Sequence, residues 1–339
     1  MNKYKVAVVG ATGVVGRTIL KVLEEKNLPV SEYCLFASKN SAGTKLKFNN
    51  KEYIVQELTE NSFDSGFDFA IFSAGGDIAK KFAPIAVEKG CVVVDNSSAF
   101  RMDKDVPLVV PEVNKDELKN HKGIIANPNC STIQAVLVLA PLNEAYKIKR
   151  IVYSTYQAVS GAGKKGILDL ENGIKQYYSN TDGNNEYELQ KFPYPIFNNC
   201  LPHIDVFLDN GYTKEEEKMI NETRKILGRS KLPITATAVR VPVFNCHGES
   251  INIEFNDIYE INDAIEVLKS APGVVIKDDL ENIEYPLPTE VSGQNDVYVG
   301  RIRRDFSLKS GLNLWVVGDN IRKGAATNAV QIVEELMKM

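Results

Sequence analysis

The first 26 residues constrain the fold more than any other part of the chain. The stretch "KVAVVGATGVVGRTILKVLEE" is typical of a buried strand, a glycine turn and an amphipathic helix. Gly10, Gly13 and Gly16 lie in this turn, where backbone without Cβ atoms can approach a pyrophosphate and a helix N-terminus favours negative charge. The spacing is GxxGxxG rather than GxGxxG, so a plain tight turn remains the alternative. The pattern favours a dinucleotide-binding domain.

The rest of the chain predicts two domains. The apolar runs "EYCLFAS", "DFAIFSA", "CVVVDNS" and "GIIANPN" continue the first domain as a parallel sheet with helices on both faces, and "KNSAGTKLKFNNKEYIVQEL" predicts a hairpin excursion. After about residue 145, longer runs alternate apolar with polar residues. We therefore predict an α/β protein, with an N-terminal Rossmann-type domain and an α+β domain that has a mixed, largely antiparallel sheet.

Two further segments carry predictions. Residues 178–205 are rich in Asn, Pro and Gly, which predicts a long loop. The C-terminal helix carries one apolar face and must dock on another element; the face comprises Ala326, Val330, Val333 and Met337.

Composition excludes several classes of function. The net charge of -4 and the pI near 5.6 give no electrostatic basis for binding nucleic acid or an anionic membrane. No apolar run approaches the roughly 20 residues of a membrane helix, and we expect no signal peptide. The five cysteines form no CxxC pair, which argues against disulfides or a metal site and for a cytoplasmic protein; they are Cys34, Cys91, Cys130, Cys200 and Cys246.

The end of the second predicted strand bears on the choice of nicotinamide cofactor. A carboxylate there would bind the 2′-hydroxyl of NAD, but the sequence "FASKNSAG" offers Ser38, Lys39 and Ser41 and no acid. Hydroxyls and a cation suit a 2′-phosphate, so NADP is preferred. For any one of these residues, a polar surface turn is an equally good interpretation.

Cys130 lies between a strand and a helix, in "IIANPNCSTIQAVLVLAPL". We expect it to begin a helix that ends around Pro141. A helix N-terminus stabilises a thiolate, the form that attacks carbonyl groups. A buried structural cysteine explains the residue equally well.

Few other residues offer acid/base or anion-binding chemistry. Among the three histidines, His247 is favoured as an acid/base over a structural histidine, because it lies at the end of the alternating strand "AVRVPVFNC" and precedes a glycine. Cys246 and His247 should point to opposite faces of that strand, so we expect no metal site shared between them. Arg101 and Arg240 are natural ligands for carboxylate or phosphate. The run "KEEEK" at 214–218 predicts, from charge alone, the solvated face of a helix.

Six motifs occur together in order: "GATGVVG", "SAGG", "NPNCSTIQ", "YQAVSGAG", "RVPVFNCHGES" and "GDNIRKGAATNAVQI". The chain closely resembles bacterial aspartate-semialdehyde dehydrogenases from end to end. The resemblance implies that Cys130 is the nucleophile, His247 the acid/base and Gln157 the residue that orients the nucleophile and the substrate. It implies that Arg101 and Lys218 bind the substrate phosphate, Arg240 the α-carboxylate and Glu215 the amino group, with further substrate contacts from Asn129 and Gln157. It implies NADP contacts at Gly10, Thr12, Gly13, Val14, Val15, Ser38, Ser41, Gly75, Ser160, Gly161 and Asn320.

The resemblance also implies a reaction. L-4-aspartyl phosphate would be reduced by NADPH to L-aspartate 4-semialdehyde through a cysteine thioester, with release of phosphate, in lysine (with diaminopimelate), threonine and methionine biosynthesis. We expect residues 1–129 and 320–339 to form the NADP-binding domain and residues 130–319 the catalytic and dimerisation domain, in a homodimer or homotetramer.

Three rivals remain. N-acetyl-γ-glutamyl-phosphate reductase shares the chemistry, but its acylated substrate amine does not need an acid at Glu215. Glyceraldehyde-3-phosphate dehydrogenase has a different cysteine motif. A catalytically silent NADP-binding protein is the third, and silent relatives tend to lose the nucleophile or the base.

Overall fold

The computed structural model describes residues 4–179 and 188–339. The chain divides into two compact units, one of Met1–Ile133 with Gly324–Met339 and one of Gln134–Lys323. The α-helices are α1 (Val14–Lys26), α2 (Gly76–Glu88), α3 (Pro111–Asn114), α4 (Cys130–Tyr146), α5 (Gly163–Ser179), α6 (Lys214–Ile226), α7 (Ile261–Lys269), α8 (Pro288–Val291) and α9 (Asn328–Leu336). Single 3₁₀ turns cover Lys39–Ser41, Lys115–Asn120 and Val159–Ala162, and a π-helical segment covers Arg322–Thr327.

The first unit is built on a six-stranded sheet. Its strands are β1 (Tyr4–Val9), β2 (Val30–Ala37), β3 (Lys45–Phe48), β4 (Lys51–Ile54), β5 (Gln56–Glu57), β6 (Phe69–Phe72), β7 (Val92–Asp95) and β8 (Ile124–Ala126). The sheet order is β5-β2-β1-β6-β7-β8, and every pairing in it is parallel. β3 and β4 form the predicted antiparallel hairpin.

Alternate residues of β1 pack on opposite faces of this sheet. Val6 and Val8 belong to a buried cluster with α1 and α9, whereas Ala7 and Val9 belong to another with α2. Burying each valine stabilises the fold by about 1.5–3 kcal/mol. The near-continuous apolar strand therefore follows from burial on both sides, and the predicted parallel sheet with helices on both faces is confirmed.

The C-terminal helix packs on the sheet of the first unit. The apolar face predicted from the sequence lies in the cluster that also contains Val6 and Val8. Ala326, Val330 and Val333 are fully buried there and Met337 packs against them. This confirms that the C-terminal helix docks through that face.

The second unit contains a mixed sheet, as predicted. Its strands are β9 (Ile148–Gln157), β10 (Ile234–Arg240), β11 (His247–Phe255), β12 (Val274–Ile276), β13 (Val297–Asp305) and β14 (Gly311–Gly318). Their order is β10-β9-β11-β14-β13-β12. The three inner pairings are antiparallel, and the pairings of β10 with β9 and of β12 with β13 are parallel.

The predicted end of α4 near Pro141 is wrong. The helix passes Pro141 and continues to Tyr146. A proline inside a helix removes one hydrogen bond and costs about 3 kcal/mol. Leu139 and Leu142 on either side are fully buried, and burial of such side chains offsets a penalty of that size.

The predicted loop at 178–205 is only partly described. Residues 178 and 179 still belong to α5, residues 180–187 lie outside the described residues, and 188–205 contain no helix or strand apart from a single bridge between Leu201 and Arg240. Across residues 4–179 and 188–339, no helix combines the length and the apolar character that a membrane crossing requires.

Candidate active site

In the first unit, Cys130 is the first residue of α4. The side-chain Oδ1 of Asn129 accepts a hydrogen bond of 2.9 Å from the Ser131 backbone N–H, so Asn129 caps the helix. The thiol is half-buried. Gly324 packs directly against it, because a Cβ at Gly324 would lie 2.8 Å from the Cys130 Cβ. The local geometry provides the positive end of a helix dipole at this sulfur.

The other cysteines lie in different environments. Burial raises the pKa of Cys34 to about 11 and that of Cys91 to about 12, and it also raises the pKa of Cys246. These three are held as neutral thiols at neutral pH. Cys200 is exposed in the segment between α5 and α6 and has no helix N-terminus of its own.

Arg101 is anchored close to the turn that precedes Cys130. Its Nε donates to the carbonyl of Asn127 at 2.9 Å and its Nη2 to the carbonyl of Asn96 at 2.8 Å. The Asn127 amide is itself held by Asn96 and by Asn328 of α9. Arg101 as a whole residue is 7% exposed. A buried cation so fixed by main-chain oxygens is suited to bind an anion at a defined place.

The glycine turn lies where the sheet order reverses, between β1 and β6. Gly10 follows β1 with a φ of 85°, and a Cβ there would lie 2.3 Å from the Ser73 carbonyl oxygen after β6. Gly16 packs as closely on the Gly10 carbonyl. Gly13 precedes α1 and is exposed, and Thr12, Val14 and Val15 beside it are partly exposed. Parallel sheets bind nucleotides at the carboxyl ends of the strands at such a switch point.

The remaining residues of the first unit that were predicted to bind NADP lie at the same carboxyl edge. Gly75 follows β6, is exposed, and precedes α2 with a φ of 88°. Ser38 and Ser41 flank the turn after β2, where the Ser38 carbonyl accepts the Ser41 N–H at 2.8 Å. Ser38 is exposed and Ser41 partly so.

In the second unit, His247 is the first residue of β11. The sequence pattern instead predicts that it lies at the end of the preceding strand. β10 ends at Arg240, just before Val241-Pro242, because proline cannot donate to a strand ladder. Cys246 has a φ of 71° and lies outside the strand. The prediction that Cys246 and His247 alternate along one strand is therefore wrong.

His247 is fully buried, and hydrogen bonds hold both its imidazole ring and its backbone carbonyl. Its Nδ1 accepts the Ala158 N–H at 3.0 Å, so a neutral ring carries its proton on Nε2. Its own carbonyl accepts Nε2 of Gln134 at 3.2 Å. Burial, and then the charge of Arg240, hold the pKa of His247 well below 6.5. The ring is neutral at neutral pH.

Sheet register brings Gln157, Arg240 and His247 to one edge. Gln157 ends β9 and pairs with Arg240 at the end of β10, while β11 starts beside them in the opposite direction. Arg240 Nη1 donates to the Ala158 carbonyl at 2.6 Å. A Cβ at Gly161 would lie 3.1 Å from Nη1 of Arg240 and 3.3 Å from Cε1 of His247. The glycine thus lies directly against both functional groups.

A polar chain extends from Gln157 to α6. Gln157 Nε2 donates to Glu215 at 3.2 Å, Lys218 lies 3.2 Å from the other Glu215 oxygen, and Lys218 also pairs with Asp205 at 2.8 Å. Burial acts to lower the pKa of Lys218, but the charges of Glu215 and Asp205 outweigh it and raise the pKa. Asp205 has a φ of 68° in an irregular segment, and no sequence pattern marked it.

The prediction from charge alone that "KEEEK" is solvated is wrong for two of its glutamates. Glu215 is 5% exposed and Glu216 is 7% exposed. Glu216 closes a capping box with Thr213 and also accepts the Ala238 N–H at 2.9 Å. The first turn of α6 packs on β10, which buries the acids.

Ser160 and Asn320, also in the second unit, are linked by hydrogen bonds. The Asn320 Nδ2 donates to Ser160 Oγ at 3.1 Å, and its Oδ1 accepts the Cys246 N–H at 2.9 Å. Both side chains are 3% exposed. Asn320 therefore supports the strained backbone that immediately precedes His247.

Known proteins give a consistent comparison. Residues 5–121 match the family described as "Semialdehyde dehydrogenase, NAD binding domain", and residues 139–323 match "Semialdehyde dehydrogenase, dimerisation domain". The aspartate-semialdehyde dehydrogenase of Aquifex aeolicus is 56% identical over 338 residues, covering 99% of this chain and 98% of that protein. The Campylobacter jejuni enzyme of the same name is 51% identical over 342 residues, covering 100% and 98%.

Solved structures agree. Aspartate semialdehyde dehydrogenase II of Vibrio cholerae, complexed with ASA, has a TM-score of 0.95 at 45% identity and covers 100% of this chain and 99% of its own. The Candida albicans enzyme with NADP has a TM-score of 0.76 at 27% identity, covering 99% of each chain. On this identity and coverage, the chain belongs to the aspartate-semialdehyde dehydrogenase family.

Proposed function

We propose that this protein is an NADP-dependent dehydrogenase that converts L-4-aspartyl phosphate to L-aspartate 4-semialdehyde and phosphate, and that Cys130 is its nucleophile. The observation that carries the proposal is a half-buried thiol at the first position of α4, capped by Asn129. The thiolate attacks the acyl carbon, phosphate leaves, and a thioester remains on the sulfur. The three cysteines with raised pKa values, Cys34, Cys91 and Cys246, are unsuited to this step.

His247 acts as the acid/base. With Nδ1 occupied by the Ala158 N–H, Nε2 is the atom that exchanges protons with substrate. A depressed pKa keeps the imidazole neutral at neutral pH with its one proton on Nε2, so that Nε2–H can donate to the substrate oxygen that becomes negative when the thiolate attacks. Gln157, held by Glu215 and Thr155, orients the reacting groups.

Charged side chains hold the two anionic ends of the substrate and its amino group. Arg240 binds the α-carboxylate, and its guanidinium is pre-positioned by the Ala158 carbonyl. Glu215 receives the ammonium group. Arg101 and Lys218 bind phosphate, which explains a buried arginine and a half-buried lysine in a chain with a net charge of -4. Asn129 contacts the substrate beside the nucleophile.

The glycine turn and its neighbours fit a dinucleotide. Because a Cβ at Gly10 would overlap the Ser73 carbonyl, the turn closes tightly and presents the N-terminus of α1. Gly10, Thr12 to Val15, Gly75, Ser160, Gly161 and Asn320 would hold the cofactor, and Ser38 and Ser41 its 2′-phosphate. Bound NADPH supplies the hydride that reduces the thioester.

We further propose the assembly and the location. Residues 1–129 with 320–339 bind NADP, and residues 130–319 carry catalysis and dimerisation. The match of residues 139–323 to a dimerisation domain supports a homodimer or a homotetramer. A biosynthetic role, and five cysteines that form no disulfide bond in the described part of the chain, support a cytoplasmic location.

The test is reduction of NADP with L-aspartate semialdehyde and phosphate supplied together, followed by nicotinamide absorbance. We expect a rate that requires phosphate, that disappears in Cys130→Ala, and that persists in the control Cys200→Ala, which removes an exposed thiol. A Cys130→Ala variant with a near-normal rate would exclude the covalent route. A rate with N-acetyl-glutamate semialdehyde but none with aspartate semialdehyde would move the assignment to the rival reductase.

A further inference from the structure

Glu249 is a fully buried acid that the proposed mechanism does not use. It lies two residues after His247 in β11, on the same face of the sheet. Neither of its carboxyl oxygens has a hydrogen-bond partner among the residues that the structure describes. An ionised carboxylate buried without donors is strongly unfavourable, so the group requires another explanation.

The side-chain amide of Gln134, next to Glu249, also has an oxygen without a hydrogen-bond donor in the part of the chain that the structure describes. Gln134 is 1% exposed and its Nε2 donates to the His247 carbonyl, but its Oε1 has no donor within the described chain. The same amide lies beside the Glu249 carboxyl group and acts to lower its pKa, but burial and the charge of Glu215 outweigh that effect. A Cβ at Gly318 would lie 2.9 Å from Oε1, so the backbone of β14 closes that side of the amide. Three buried acceptor oxygens therefore lie on two neighbouring side chains, and a single proton between the two side chains would satisfy two of the three.

The surrounding charges favour that proton. Burial, and then the negative charge of Glu215 in α6, raise the pKa of Glu249 well above 4.5. From β9, Tyr153 and Thr155 face the same space; burial raises the pKa of Tyr153 far above its ordinary value, so it is neutral. His247, on β11 itself, is neutral as well. No cation among these groups compensates a carboxylate at this position.

We propose that Glu249 is a neutral carboxylic acid in the folded protein, that it donates its proton to Oε1 of Gln134, and that it thereby positions His247. With Oε1 occupied, the amide keeps Nε2 directed at the His247 carbonyl. An ionised Glu249 would attract Nε2 instead, and the His247 carbonyl would lose its donor. Glu249 is thus a positioning residue, and this part of the inference rests on the proposed role of His247.

The protonation state is tested without any turnover. Infrared difference spectra between the wild-type protein and Glu249→Gln at neutral pH should contain the carbonyl stretch of one protonated carboxylic acid, lost in the variant. Loss of carboxylate bands instead would overturn the inference. Because this measurement needs neither substrate nor activity, it is independent of the proposed function.

The positioning role is tested by kinetics. Glutamine keeps a donor for Oε1, whereas methionine has a similar shape and no donor. We expect Glu249→Met to lower kcat by about tenfold, the effect of one lost hydrogen bond, to move the acid limb of the pH profile of kcat/KM, and to leave NADP affinity unchanged. Glu249→Gln should rescue both properties.

Two kinetic outcomes would overturn the positioning role. Equal loss in the two variants would mean that the carboxyl group itself matters rather than its donor, and wild-type behaviour in both would mean that Glu249 does not act on His247. If Glu249→Met fails to fold, Glu249→Gln still tests the positioning of His247, because the acid limb of its kcat/KM profile should coincide with that of the wild type. A shifted limb in that variant would contradict it.

Discussion

The neutral state of Glu249 has a consequence for stability that depends on pH. Its pKa is about 4.5 in an unfolded chain and is raised well above that value by burial and by Glu215 in the folded protein. Above pH 4.5 the unfolded state therefore releases a proton that the folded state keeps. The stabilising contribution of this group is complete below the unfolded pKa, and it is lost as pH rises towards the folded pKa.

The size of the effect follows from the one proton involved. Relative to Glu249→Gln, the unfolding equilibrium constant of the wild-type protein should rise about tenfold for each pH unit across this window. Each pH unit between the unfolded and the folded pKa therefore lowers the stability of the wild type relative to Glu249→Gln by about 1.4 kcal/mol. Other titrating groups, including His247, are common to both proteins and cancel in the comparison.

Urea unfolding followed by tryptophan fluorescence is a suitable assay. The chain has a single tryptophan, Trp315 in β14, which lies in the same unit as Glu249 and reports the unfolding of that unit. Glu249→Met serves as the control: it cannot titrate, so its curve should run parallel to that of Glu249→Gln at a lower stability. If the free-energy difference between wild type and Glu249→Gln were independent of pH, or increased in favour of the wild type, the reasoning would be refuted.

Three further substitutions test the active-site geometry. His247→Asn should lower kcat by about a hundredfold or more with NADP affinity unchanged. In the wild-type protein, the acid limb of the pH profile of kcat/KM should lie below pH 6.5, because burial and Arg240 depress the pKa of this histidine. An acid limb above that value would contradict the assignment. Arg240→Leu should raise the KM for aspartate semialdehyde by about tenfold or more. It should also move the acid limb of kcat/KM to higher pH, since the charge that lowers the pKa of His247 is gone. An unchanged KM would exclude the carboxylate role. Gly161→Ala should lower kcat/KM by about tenfold, because the new methyl group would lie 3.1 Å from Arg240 and 3.3 Å from His247. The thermal unfolding temperature should change little. Full activity would mean that both side chains can move aside freely.

Several features of this protein are local enough for the sequence to determine them. The strand, glycine turn and helix of residues 4–26 follow from apolar periodicity and from three glycines. The position of Cys130 at the start of a helix follows from the Asn-Pro-Asn turn and the helix-forming run after it. The change from near-continuous to alternating apolar strands separates a parallel sheet buried on both faces from a mixed one. The roles of individual side chains came from the resemblance to a known family.

Other features required the tertiary structure. The end of α4 was misplaced because packing of its leucines outweighs the local effect of Pro141. The charge of "KEEEK" predicted solvation, yet α6 packs on β10 and buries Glu215 and Glu216. His247 begins a strand rather than ending one, and only strand register sets it beside Gln157 and Arg240.

Glu249 is the clearest example of a feature that the sequence alone could not predict. In the sequence it is an ordinary acid in "HGES", with nothing to distinguish it from exposed glutamates. Its protonation depends on the amide of Gln134 and the charge of Glu215, which lie far away along the chain. Periodicity and capping act between residues a few positions apart, so sequence determines them. Burial and the pairing of polar groups are sums over distant neighbours, and only the folded chain decides which neighbours those are.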